Sequence, residues 1–216
     1  MSQQFDFLSP SNSQPQPDSS GDTSLEALVA EMMQMRGDPL ADAGTNVVIC
    51  RGNPQARLMI VGEAPGPQEN IQGKPFVGKA GQMLDKILEA ADFNPETDVF
   101  ITNSVFRMPP GEGDQAFRKP TSQEIAWYRP YLLRIVRLID PLIMLLTGNV
   151  ACESLLGQTG ITKLRGQWIQ QDGRWLMPIF HPSYLLRNPL RTPGSPKALM
   201  WDDIREVRRK HDELVG

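Results

Sequence analysis

Four short apolar runs along the chain each stop at a residue suited to a turn or a ligand. Leu58–Val61 ends at Gly62, Val99–Thr102 at Asn103, Leu142–Leu146 at Thr147, and Trp175–Ile179 just before His181-Pro182. Their apolar residues follow one another instead of alternating, the pattern of strands covered on both faces in a parallel sheet. Between them the period lengthens to that of a helix. Leu25, Leu28, Val29, Met32 and Met35 form one stripe, opened by Thr23 or Ser24 as a cap and closed by Asp38-Pro39. Met83, Leu84, Ile87, Leu88 and Ala91 form a second, over about 81–91. Thr121 and Glu124 make a capping box for a helix reaching Ile139, where Asp140-Pro141 breaks it. A short helix runs from Gly148 to about Leu156. The last, over about 196–214, puts Met200, Ile204, Val207, His211 and Leu214 on one side.

Strand–helix alternation predicts an α/β fold, a mostly parallel sheet with helices on both faces. The strand ends at Gly62, Asn103, Thr147 and His181 then gather along one edge, where open sheets of this kind bind ligands. A further strand is expected near 46–50. A hairpin is expected where 166–170 and 175–179 flank Asp172-Gly173. Residues 62–81 and 107–120 read as loops. Residues 1–22, rich in Ser, Gln, Pro, Asp and Gly without an apolar period, read as a disordered tail before one domain over 23–216.

Composition narrows the classes. No apolar run approaches the roughly 18 residues of a membrane span, and no charged and apolar leader opens the chain; a cytoplasmic protein with no membrane partner is expected. Two cysteines, Cys50 and Cys152, cannot build a thiolate metal cluster between them. The net charge of −3 hides an asymmetry. Residues 1–103 hold 6 basic against 14 acidic side chains, and residues 104–216 hold 16 against 11. The second half can therefore show phosphates a positive face.

Candidate chemistry clusters after the first firm strand, in Gly62-Glu63-Ala64-Pro65-Gly66 and Gly73-Lys74-Pro75-Phe76-Val77-Gly78-Lys79-Ala80-Gly81. The second segment comes close to a nucleotide phosphate loop. Ala80 stands where that loop needs Ser or Thr, and Pro75 removes a backbone donor. Asn103 carries an amide able to read a base edge or to cap a turn. Phe76, between glycines and prolines, is either a stacking platform or a buried plug. His181 is one of two histidines and can donate to an oxygen gaining charge; His211, inside a helix, reads as structural.

Taken in order, these motifs resemble the uracil-DNA glycosylase superfamily, family 4 type. The resemblance rests on Gly62-Glu63-Ala64-Pro65-Gly66 with Glu69, on Gly73 through Gly81, on Ile101-Thr102-Asn103, on Arg165-Gly166 and on His181-Pro182-Ser183-Tyr184-Leu185-Leu186-Arg187. It implies a three-layer α/β/α sandwich with a central four-stranded parallel sheet, and excision of uracil from DNA by a monomer. Gly62, Ala64, Phe76 and Asn103 would bind the uracil. Glu63, Glu69 and His181 would be catalytic, one glutamate handling water and the histidine stabilising the leaving base. Ser183, Tyr184, Arg187 and Lys197 would contact DNA. The family also implies a [4Fe–4S] cluster on four cysteines, two of them near the N-terminus. This chain has no cysteine before Cys50, and it carries Arg107 and Tyr128 at the other two positions. No cofactor and no metal are therefore expected, and Phe106, Phe117, Trp127 and Tyr128 are expected to pack the 107–120 loop instead. The missing cysteines also raise an alternative, a DNA or damaged-base binder with weak or no catalysis.

Overall fold

The computed structural model describes residues 24–111, 113 and 116–216; the expected tail and a cap at Thr23 lie outside them. Fourteen α-helices and β-strands follow in order among the described residues. They are α1 (Leu25–Met32), β1 (Cys50–Gly52), β2 (Leu58–Gly62), α2 (Pro67–Gln72), α3 (Lys79–Ala90), β3 (Val99–Asn103), α4 (Ser122–Ile139), β4 (Ile143–Thr147), α5 (Gly148–Leu156), α6 (Ile161–Leu164), β5 (Ile169–Gln171), β6 (Arg174–Ile179), α7 (Pro182–Arg187) and α8 (Pro196–Val215).

The sheet is a correction to expectation: six strands, mixed, in the order β1-β3-β2-β4-β6-β5. The inner four are parallel. Three-residue strands β1 and β5 are added antiparallel at the two margins. The apolar runs form the parallel core because all five residues of β2, β3 and β4 are buried on both faces. Alternate residues supply opposite layers. Met59, Val61, Phe100, Met144 and Leu146 pack with α1, α4 and α5. Leu58, Ile60, Val99, Ile101, Ile143 and Leu145 pack with α3, α7 and α8.

Ser24 caps α1, its side chain accepting from Ala27 N–H at 3.2 Å. Thr121 and Glu124 form the expected reciprocal box on α4. His211 is structural, edge-on to Phe93 with centroids 5.3 Å apart. Three short helices, α2, α6 and α7, were not foreseen. The apolar run at 46–50 joins the ladder only from Cys50 onward; before that, Val48 N–H reaches Phe106 O at 2.8 Å. Among the described residues no helix is long and apolar enough to cross a membrane.

Candidate active site

The strand ends meet as the topology requires. Gly62 stands opposite Asn103, and Thr147 opposite Ile179, with His181 two residues beyond. Gly62 is glycine because of space: a Cβ there would overlap Asn103 Oδ1 and Phe76 Cε2. Amide and ring therefore converge over bare backbone. The Phe76 ring faces the His181 imidazole, centroids 6.0 Å apart and planes 29° from parallel. Asn103 is only 2% exposed. Among the described residues its amide makes no side-chain hydrogen bond, and its polar atoms are not among those closed off from solvent. An amide in this state is free to pair with a group that enters from solvent.

His181 caps α7. Its Nδ1 accepts the Ser183 N–H at 3.2 Å and lies 2.9 Å from Ser183 Oγ. A ring nitrogen that accepts a backbone N–H carries no proton, so the proton of the neutral ring sits on Nε2. Burial first, then the charges of Arg187 and Lys119, push the pKa down to about 4. His181 is thus a neutral donor.

Glu63 is half-buried in the loop after β2. Its backbone O takes the Val105 N–H at 3.1 Å, while Gly62 O takes Ser104 N–H at 2.9 Å and Ser104 Oγ–H at 2.8 Å. The segment after β3 is thereby sewn to the segment after β2. Burial raises the Glu63 carboxyl above the usual range, and the Lys119 charge opposes that rise. Ala64 is half-buried against the α4-side core.

Glu69 is engaged by the backbone around it. Its Oε1 accepts the N–H groups of Val77 and Gly78 at 2.9 and 2.7 Å, and its Oε2 that of Gly66 at 3.2 Å. It anchors the loop between α2 and α3. The same bonds dispose of the phosphate-loop resemblance. The amides such a loop would aim at phosphate are taken by an internal carboxylate, and α2 separates the loop from its strand.

The expected DNA contacts divide. Arg187 is exposed at the end of α7, near enough for its charge to act on His181. Ser183 is tied to His181 and Lys197 opens α8. Tyr184 packs its ring on Phe180, centroids 5.1 Å apart. Two residues near the site went unnoticed in the sequence. Lys119, an exposed lysine in a loop without period, carries a charge felt by both Glu63 and His181. Arg51 sits in an edge strand, and only its contacts distinguish it.

The residues at the implied cluster positions do not fit an iron–sulfur group. Arg107 Nε donates to Asp38 Oδ2 at 2.6 Å, and its Nη1 reaches Thr45 O. Tyr128 Oη donates to Asp38 Oδ1. The Asp38 carboxylate is fully buried, and burial raises the Tyr128 phenol far above its ordinary value. A cation and a phenol closed on a carboxylate offer no thiolate. Cys50 and Cys152 stand on β1 and α5, with burial raising their thiols to about 11 and about 12. Nor do the described residues contain any group of three or more His, Cys, Asp or Glu able to hold a metal ion. Phe106 and Tyr128 pack edge-on at 5.8 Å as expected, and Trp127 joins Tyr128. Phe117, expected to pack the loop, is 48% exposed.

Residues 50–205 match the model of the uracil DNA glycosylase superfamily. A type-4 uracil-DNA glycosylase of Thermotoga maritima is 39% identical over 85% of this chain and 93% of its own length. One from Archaeoglobus fulgidus is 34% identical over 77% and 85%. A type-5 uracil-DNA glycosylase of Thermus thermophilus is 28% identical over 85% and 88%. With a family match over most of its length and type-4 members among its relatives, this chain belongs to the uracil-DNA glycosylase superfamily.

Proposed function

We propose that this protein is a monofunctional DNA-repair hydrolase that excises uracil from DNA, working as a monomer and without an iron–sulfur cluster or any metal. The observation that carries the reading is the Asn103 amide, without a hydrogen bond among the described residues, set over Gly62 and beside the facing rings of Phe76 and His181. A pyrimidine edge offers one donor next to one acceptor, the complement of that amide.

The target carbon is hidden in a stacked duplex, so the nucleotide must turn out at a cost of a few kcal/mol. Phe76 then stacks on the base and Asn103 pairs with its edge. As the N-glycosidic bond breaks, the sugar gains oxocarbenium character and the base gains negative charge. Glu63 faces the sugar and activates the water that adds to it. The His181 Nε2–H donates to uracil O2, and such an aimed donor is worth about 3–4 kcal/mol. A neutral donor suits this task, because it needs no proton from solution and survives burial. Arg187, Lys197 and Lys119 would hold phosphates around the opening. The binder reading raised by the missing cysteines gains nothing from the site, where amide, ring, imidazole and carboxylate are all present.

The test is release of free uracil from a uracil-containing oligonucleotide, single- and double-stranded, by wild type and Asn103→Ala. Release by wild type, reduced about 100-fold in the variant, supports the reading. Equal background from both proteins overturns it. Salt-sensitive binding without release would assign the binder role in its place.

A further inference from the structure

Phe76 has a backbone that a phenylalanine does not choose. Its φ is +54°, in the left-handed region normally left to glycine. Such a conformation persists only where neighbours enforce it, and two neighbours do so here. From behind, Gly81 of α3 makes room: a Cβ at that position would overlap the carbonyl carbon and oxygen of Phe76. From the sheet margin, Arg51 of β1 reaches over the same two peptides. Its Nε donates to Pro75 O at 3.0 Å and its Nη2 to Phe76 O at 3.3 Å. The guanidinium is itself braced, by Asp85 Oδ1 at 2.5 Å and Glu96 Oε1 at 3.1 Å. Its side chain is only 8% exposed, whereas the Glu96 side chain is 73% exposed.

A cation buried to this degree at a sheet margin is costly unless its donors are used. Two of these contacts go to the backbone of one turn, the turn that aims the Phe76 ring at Gly62 and His181. Asp85 lies one turn beyond Gly81 on α3, so strand and helix grip the turn from both sides. We infer that Arg51 is a positioning residue for the base-stacking ring: it holds the strained Phe76 backbone so that the ring lies flat against the entering pyrimidine. This inference rests on Phe76 as the stacking platform. Arg51 touches neither substrate nor reacting atoms; it acts through Phe76.

Arg51→Met keeps the apolar stem and removes the donors, while Arg51→Lys keeps the charge but loses the fork. Base–aromatic stacking sets the scale of the effect, so Arg51→Met should raise the inhibition constant of free uracil about tenfold and lower kcat/KM comparably. Arg51→Lys should recover part of both. In a Phe76→Ala background Arg51→Met should cost nothing further, because the ring through which it acts is gone. A crystal structure of Arg51→Met should show Phe76 at negative φ or its ring turned from His181. Wild-type uracil inhibition in Arg51→Met, losses that simply multiply in the double variant, or an unmoved Phe76 would each overturn the inference, even if the variant is less heat-stable. Failure of wild type itself to release uracil would overturn the function proposed above, and the crystallographic readout would still decide whether Arg51 sets Phe76.

Discussion

Asn103 and His181 set what the site can do one residue at a time. The tautomer of His181 follows from a single backbone contact, so its pH behaviour is calculable in sign. With a pKa near 4 the ring stays neutral throughout the range in which an ordinary histidine, at 6.5, gains its charge. Uracil release should therefore hold level as pH falls through 6.5, and decline only where Glu63 takes up a proton. A pH–rate profile showing a break near 6.5 that vanishes in His181→Asn would contradict this. The same shift bears on stability. Between 6.5 and about 4 the unfolded chain binds a proton at this residue and the folded one does not, so stability drops as pH falls through that window. The loss is about 3 kcal/mol at most, and the raised Glu63 carboxyl works in the opposite direction. Urea midpoints at neutral and mildly acid pH should separate further in wild type than in His181→Asn. Gly62→Ala is a sharper residue-scale test. Its methyl meets side-chain atoms of Asn103 and Phe76, not backbone, so the variant should fold and lose nearly all base release.

At the scale of elements, two polar anchors replace what a sequence reader takes for open loop. Glu69 ties the α2–α3 connection through three backbone donors. Glu69→Gln should cost about 2 kcal/mol in urea denaturation and raise KM more than it lowers kcat. A collapsed kcat with unchanged stability would return Glu69 to the handling of water. The knot of Asp38, Arg107 and Tyr128 binds the segment after α1, the loop after β3 and helix α4. Asp38→Asn should lose about 3 kcal/mol, because it leaves the half-buried Arg107 without its carboxylate. The triple change Asp38→Leu, Arg107→Leu and Tyr128→Phe should regain most of that loss, since apolar groups need no partner. These anchors were illegible beforehand for a physical reason. The central strands announce themselves because burial on both faces demands unbroken apolar residues, and α4 because a capping box is local. Helices α2 and α7 span six residues each and are led by proline, too short to show a period. A pairing such as Asp38 with Tyr128 joins positions 90 apart and leaves no mark in either neighbourhood. The convergence of Gly62, Asn103 and His181 was legible because strand order forces it, whereas Phe76 arrives from the loop before α3. The strain at Phe76 and the reach of Arg51 were not, since both depend on how one turn meets one margin of the sheet.

For the molecule as a whole, the surplus of basic residues in 104–216 and the exposed Arg187 and Lys119 frame an electrostatic approach to DNA. Affinity should fall linearly with log salt, and Arg187→Ala should lower that slope by about one, measured by fluorescence anisotropy on uracil-free duplex. A slope unchanged by the variant would move the phosphate contacts elsewhere. The sheet carries a quieter lesson. Each of its margins is finished by an antiparallel strand of just three residues, so neither side extends a long ribbon of unsatisfied amides to a stranger. A protein finished in this way can be concentrated without zipping edge to edge onto its own copies.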